Sequence, residues 1–282
     1  MIFGTILALL SAIFFAFANI SIKPSTDVFG AWGAVILAQL IGVLVVTVLA
    51  LVFEGLPQVL SWKEALWVLS GGVSAVLAYG GLFSAFKQGA VSLLSPIVSM
   101  WMLVSVVSGV VFLNESMGYV PAIGIFLVLL GNSYANYVHG KSEQGTFTPT
   151  KSIVFAIGSA LGFGLLMPIV AVIGRDIGVL WAMPMVWGVE LLLLLPFGLL
   201  LRWPSSGHEW WLASRVSLFE SAGFMAITYA AITAPVSLIA PISSLSVVFT
   251  IGLGLFFLGE RISAKVLMGI TVACVGIVLV NL

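Results

Sequence analysis

Stretches of about twenty apolar residues recur along the chain between short polar links. They lie at approximately 3–22, 31–53, 65–86, 91–113, 119–138, 151–173, 179–201, 210–231, 236–258 and 264–282. A helix rises about 1.5 Å per residue and the hydrocarbon core of a bilayer is about 30 Å thick, so each stretch is long enough to span it. The pattern predicts an all-α integral membrane protein with ten transmembrane helices. It also repeats itself. Residues 91–115, VSLLSPIVSMWMLVSVVSGVVFLNE, return 145 residues later as residues 236–260, VSLIAPISSLSVVFTIGLGLFFLGE. At that offset Ser92 meets Ser237, Pro96 meets Pro241, Ser99 meets Ser244 and Gly109 meets Gly254, and the match runs on through Gly124/Gly269 and Gly131/Gly276. Five spans per copy is an odd number, so the second copy must lie upside down in the membrane relative to the first. The expected organisation is two inverted five-helix repeats, residues 1–138 and 151–282, joined by a Gly-, Ser- and Thr-containing connector at 139–150.

Composition agrees with a polytopic membrane protein: 61% of residues are hydrophobic, 7% are charged and the mean hydropathy is +1.26, far from the values of soluble domains. Ten basic and ten acidic residues leave no basic surface for nucleic acid. The one cysteine, Cys274, lies in the tenth stretch and excludes an intrachain disulfide. The chain opens on apolar residues without a basic leader, so the first span is expected to stay in the membrane, and a plasma or bacterial inner membrane is the expected location. Links after odd-numbered spans hold Lys23, Lys87, Lys141, Lys151, Arg202, Arg215, Arg261 and Lys265, against Lys63 and Arg175 after even-numbered ones. The positive-inside rule then places both termini outside. Trp32, Trp62, Trp67, Trp181, Trp203, Trp210 and Trp211 fall near span ends, where indoles anchor at the headgroups.

Pro96 and Pro241 stand at matching places in spans four and nine, and read either as hinges beside a central site or as breakers placed cheaply near a helix start. Gly124 and Gly131 on the fifth span, and Gly269, Ala273 and Gly276 on the tenth, form small-residue stripes that let helices approach closely. Such stripes serve packing within the chain or a homodimer.

An ionisable group at the depth of the hydrocarbon core needs a partner, a proton or a wet cavity. Glu190, midway along span seven, and Glu220, midway along span eight, have no basic residue at helical pairing distance; Arg215 is five residues before Glu220. Each is either a protonated, hydrogen-bonded structural group or a group that exchanges protons or receives a substrate amine. Gln39 and Ala75 stand at the corresponding places of the first half. Asn19, Gln39, Tyr79, Trp101 and Trp187 add the polar and aromatic character of a small-molecule pocket, with Trp101 and Trp187 able to attract a cation. Glu115 and Glu260, at the ends of spans four and nine, read as caps for the helix that follows. His139 and His208 lie in links, so no catalytic or metal-binding constellation and no cofactor are expected. The function expected from these residues is transport of a small molecule. A membrane receptor or scaffold using the same pocket is the alternative.

Residues 223–280 carry an alanine-rich end of span eight, a proline five residues into span nine, the triplet Gly-Glu-Arg and a glycine-spaced last span. This resembles the EamA-type repeat of the drug/metabolite transporter superfamily, and the first half repeats it more loosely. Lys23 also resembles a basic residue found after span one in that family. The resemblance implies ten helices in two inverted repeats, a central cavity and alternating access without a nucleotide-binding domain. Members carry amino acids, nucleotide sugars, amines or other metabolites, so the fold does not name a substrate. Gln39 stands in span two, where the family usually has a basic residue, which counts against an anionic substrate. Family members are usually described with both termini cytoplasmic, opposite to the charge count, which leaves orientation open.

Overall fold

The computed structural model describes residues 2–88, 94, 97–142, 150–198, 202–258 and 264–280, and every element among them is helical. The first helix, α1 (Ile2–Phe53), joins two expected spans. A loop was expected at residues 23–30, where KPSTDVFG is polar; instead the helix runs on and breaks only at Gly30, with φ 74° and ψ 169°. Local bonds sustain the extra turns: Thr26 Oγ1 donates to Lys23 O at 2.9 Å, and Lys23 Nζ lies 3.5 Å from Asp27 Oδ1. The Gly30 conformation is open essentially to glycine alone. The third span is three pieces in line: α2 (Trp62–Ala75), a π-helical turn (Val76–Gly80) and α3 (Gly81–Gln88). Ser61 and Glu64 start it with a capping box, in which Ser61 N donates to Glu64 Oε2 at 2.6 Å. Then follow α4 (Trp101–Leu113), α5 (Tyr119–Ser142), α6 (Thr150–Asp176), α7 (Val179–Gly198), α8 (Gly207–Thr233), α9 (Val236–Ser243), α10 (Ser246–Leu258) and α11 (Ala264–Val280). Among the described residues five helices are long and apolar enough to cross a membrane, the 52-residue α1 being one of them; Trp101–Leu113, Tyr119–Ala135, Val236–Thr250 and Ala264–Val280 are shorter apolar helices.

Helices from the two halves cross in opposite directions. The two glycine stripes pack on each other: a Cβ added to Gly124 would stand 2.6 Å from Gly276 O, and one added to Gly131 would meet the backbones of Ala273 and Gly269. Residue 124 beside 276 and 131 beside 269 is an antiparallel crossing of α5 and α11. These stripes therefore serve packing within the chain. Likewise Phe15 meets Phe224 and Phe17 meets Phe219, which makes the first arm of α1 antiparallel to α8. Gly162 closes on Ser74 and Ala78 while Gly81 closes on Phe155 and Ser159, which makes the third span antiparallel to α6.

The links gather at two opposite ends. At one, Arg202 Nη1 donates to Val28 O at 3.4 Å, and Lys87 Nζ lies 3.3 Å from where a Gly30 Cβ would stand. At the other, Leu180 N donates to Glu54 Oε1 at 3.1 Å, Trp181 Nε1 to Gly55 O at 3.1 Å and Arg175 Nη2 to Ala231 O at 2.9 Å. Trp181 is thus a buried link between halves and not a headgroup anchor. Trp62, Trp203, Trp210 and Trp211 are exposed, as anchors require.

Glu115 is a cap, but not of the helix that follows it. Asn114 takes the left-handed conformation (φ 52°, ψ 36°) at the end of α4 and turns the chain back over Gly109. The Glu115 carboxylate then accepts from Val236 N at 2.7 Å and Ser237 N at 2.9 Å, at the start of α9 in the other half. Glu115→Ala is expected to lower stability by about 1 kcal/mol, the usual worth of a lost cap. Thermal unfolding in detergent reads this. Glu260 lies outside the described residues.

Pro96 also lies outside the described residues, whereas Pro241 is buried within α9. A proline is expected to loosen the turn before it; the interruption here comes after it, at Ser244 and Leu245. Ser244 Oγ donates to Pro241 O at 2.6 Å and so competes for the carbonyl that Leu245 N would take, and Leu245 N turns to Ile242 O at 3.2 Å. Span four has a turn at the matching Ser99 and Met100, where Met100 N donates to Ile97 O at 3.1 Å. The weak points of the two helices are therefore these paired turns.

Candidate functional site

Small residues bring α8 close to α1: a Cβ on Gly223 would stand 2.7 Å from the Phe15 ring. The approach leaves a cavity of about 90 Å³ among the first arm of α1, the third span, α4, α6, α8 and α10. Four of the expected site residues line it, namely Asn19, Tyr79, Trp101 and Glu220. So do Phe15, Phe86, Ser99, Phe163, Phe224 and Ser246, none of which stood out as a site residue in the sequence. Glu220 is the one charged residue in that lining.

The aromatic wall is organised around Phe224. Its ring centroid lies 4.9 Å from Phe15, 6.0 Å from Tyr79 and 6.0 Å from Trp187, the first and last edge-on. Tyr79 in turn meets Phe163 edge-on at 5.1 Å. Such arrangements are favoured by the ring quadrupole. Tyr79 and Phe224 are 145 residues apart, as are Trp101 and Ser246. The cavity is thus walled by equivalent positions of the two halves, and the repeat offset is the signal that could have picked out Phe224 and Ser246.

The π-helical turn places Tyr79. An extra residue per turn rotates the side chains that follow, and such turns recur at functional sites. Asn19 Nδ2 donates to Thr250 Oγ1 at 3.5 Å, a contact at the outer limit of a hydrogen bond.

Gln39, Trp187 and Glu190 do not line the cavity. They lie behind it, on the second arm of α1 and on α7, and all three are buried. The Tyr79 hydroxyl has Trp187 and Gln39 as polar neighbours, so the tyrosine ring belongs to the cavity and its oxygen to the space behind. Ser217 and Ser221 on α8 join this inner group: a Cβ on Gly42 would stand 3.1 Å from the Trp187 ring, 3.2 Å from Ser217 Oγ and 3.3 Å from Ser221 Oγ. The seven expected binding or coupling residues therefore fall into two adjoining sets, one open to a ligand and one enclosed.

Comparison with known proteins agrees with the fold. The model of the EamA-like transporter family matches residues 2–136 and again residues 150–282. No curated protein matches the chain significantly. Among similar solved structures is one titled only as the crystal structure of a protein, 16% identical, with a TM-score of 0.79 over 99% of this chain and 98% of that one. At that identity it speaks for the fold alone.

Proposed function

The chain belongs to the EamA-like transporter family, and from that premise we propose that it is a secondary active transporter of a small organic metabolite, working by alternating access between two inverted five-helix repeats. The observation that carries this reading is the cavity whose wall pairs Tyr79 with Phe224 and Trp101 with Ser246 across the repeat. A site at the interface of repeats, with residues from both, can be opened to either side by equivalent movements. The antiparallel crossings of α5 with α11, of α1 with α8 and of the third span with α6 support the inversion. The sorting of links into two ends supports ten spans, with α1 counted as two and α9 with α10 as one. The paired turns at Ser99–Met100 and Ser244–Leu245 supply places for bending. We assign the two repeats to 1–138 and 151–282 and the protein to the cell membrane.

Within the cavity, Glu220 is the group that exchanges a proton or receives the amine of a substrate, and the surrounding rings hold an apolar body. The fold itself supplies the binding surface and no cofactor is invoked. The test is counterflow in proteoliposomes. Amino acids, amines, nucleotides and sugars are first ranked by the stabilisation each gives the purified protein, since a ligand of the folded state raises its apparent stability. The stabilising compound, labelled outside and unlabelled inside, is expected to accumulate transiently in the lumen. Stabilising compounds that never exchange would make the protein a receptor instead.

A further inference from the structure

Behind the cavity lies a set of buried polar side chains, several of them without a hydrogen-bond partner among the described residues. Gln39, Glu190, Ser217 and Ser221 are 1%, 0%, 2% and 3% exposed. Both carboxyl oxygens of Glu190 and the hydroxyls of Ser217 and Ser221 have no hydrogen-bond partner among the described residues, while the Gln39 amide neighbours the Tyr79 hydroxyl and that hydroxyl neighbours Trp187. Buried polar groups are almost always paired with protein, water or an ion. Two carboxyl oxygens and two hydroxyls left so in one region mark a place that something fills.

The four residues stand on neighbouring turns of three packed helices. Gln39 precedes Gly42 by one helical turn on α1, and Gly42 faces Trp187, Ser217 and Ser221 at the distances given above. Glu190 follows Trp187 by one turn on α7, and Ser217 and Ser221 are one turn apart on α8. Gly42 is what makes the room, for a side chain there would project among these groups.

We propose that Gln39, Glu190, Ser217 and Ser221 form a buried site for one alkali cation of about sodium's size, separated from the cavity by the ring of Tyr79 and completed by water. Charge and ligand type select the ion. The set offers oxygens: two from the carboxylate, the Gln39 amide oxygen and two hydroxyls, with no thiolate or imidazole, which suits a hard cation. Glu220, of the same sign, is near enough to act on Glu190. A single positive charge balances Glu190. A proton on Glu190 would cancel the charge but leave both hydroxyls empty, whereas a cation with its waters answers both needs. Trp187 Nε1 and the Tyr79 hydroxyl then donate to the carboxylate or to those waters. The site is a binding site in its own right and stands whether or not the cavity's ligand is transported.

The experiment is thermal unfolding of the purified full-length protein as sodium chloride replaces caesium chloride at constant ionic strength, with no organic ligand present. A saturable rise in unfolding temperature with sodium is expected, because an ion bound to the folded state stabilises it by mass action. The rise is lost in Glu190→Gln. In Ser217→Ala with Ser221→Ala, a milder change that keeps the carboxylate, half-saturation is expected to need at least about tenfold more sodium, the usual scale for weakening a metal's surroundings. It persists in Glu220→Gln. Equal effects of sodium and caesium, or a sodium effect untouched by the serine changes, would overturn the site. An effect lost in Glu220→Gln and kept in Glu190→Gln would put the ion in the cavity and overturn it equally. Failure of counterflow alongside a sodium response would remove the transport reading and leave this site standing.

Discussion

Glu220→Gln is expected to lower transport of an amine-bearing substrate by about ten- to a hundredfold, because a hydrogen bond to a charged group is worth about 1.5–3 kcal/mol and each 1.4 kcal/mol is a factor of ten. Among the described residues that line the cavity Glu220 is the one carboxylate, and none of them is basic. Its carboxyl is therefore placed to meet a ligand. Glutamine keeps the shape and much of the hydrogen bonding, so the variant folds and the loss falls on function. Counterflow with the stabilising compound measures it, alongside binding of the same compound by thermal shift. If the compound is neutral and Glu220 only exchanges protons, affinity is kept and the dependence of transport on pH is flattened. Unchanged affinity, rate and pH dependence together would make Glu220 structural. Glu190→Gln is expected to leave affinity for the organic compound nearly unchanged, since Glu190 lies outside the cavity.

The largest loss of stability is expected from Gly131→Val. The Cβ of any residue at 131 would overlap the backbone of Ala273 and come 2.5 Å from Gly269 O. Main chain cannot swing aside as a side chain does, so α5 and α11 would have to separate along their whole crossing. Overpacking of a core usually costs about 1–3 kcal/mol, and a clash of backbone on backbone belongs at or above the top of that range. Dispersion between closely packed helices is a main source of association in lipid, where no hydrophobic drive exists between them, so separation loses the contacts that hold the pair. Gly158→Val is the matching control, because nothing lies within 4 Å of a Cβ at that position. Thermal unfolding in detergent should show a fall of many degrees for the first and little change for the second. A similar response in both would mean that α5 and α11 are not in contact as described.

Much of the architecture is readable in the chain because lipid imposes lengths and the duplication imposes equivalences. Most apolar runs match a helix to within a few residues, although those at 3–22 and 31–53 join in α1 and that at 236–258 divides into α9 and α10, and the stripes at 124/131 and 269/276 predict close packing whose partner the structure supplies. The polar segment at 23–29 misled, since Lys23, Ser25, Thr26 and Asp27 look like a loop and yet bond locally in ways that prolong a helix. Glu115 reads as a local cap, and only the left-handed Asn114 sends it to a helix 121 residues away. Four cavity residues were evident as polar or aromatic groups inside spans. Phe15, Phe163 and Phe224 were not, because phenylalanine inside a span is the ordinary lining of a membrane helix, and only its place opposite a repeat-equivalent tyrosine distinguishes Phe224. Ser217 and Ser221 were hidden for a similar reason: a serine on a buried helix face usually bonds back to its own backbone, and here neither hydroxyl does.

Alternating access is tested most directly by labelling at Ser246, which lines the cavity, in a background where the exposed Cys274 is replaced. Ser246→Cys with Cys274→Ser would be treated with a membrane-impermeant thiol reagent from each face of sealed vesicles of defined orientation. Modification from both faces in separate preparations, each slowed by the stabilising compound, is expected of a cavity that opens to one side at a time. Modification from one face only, at all conditions and with the compound present, would describe a pocket that never crosses the membrane and would contradict the transporter.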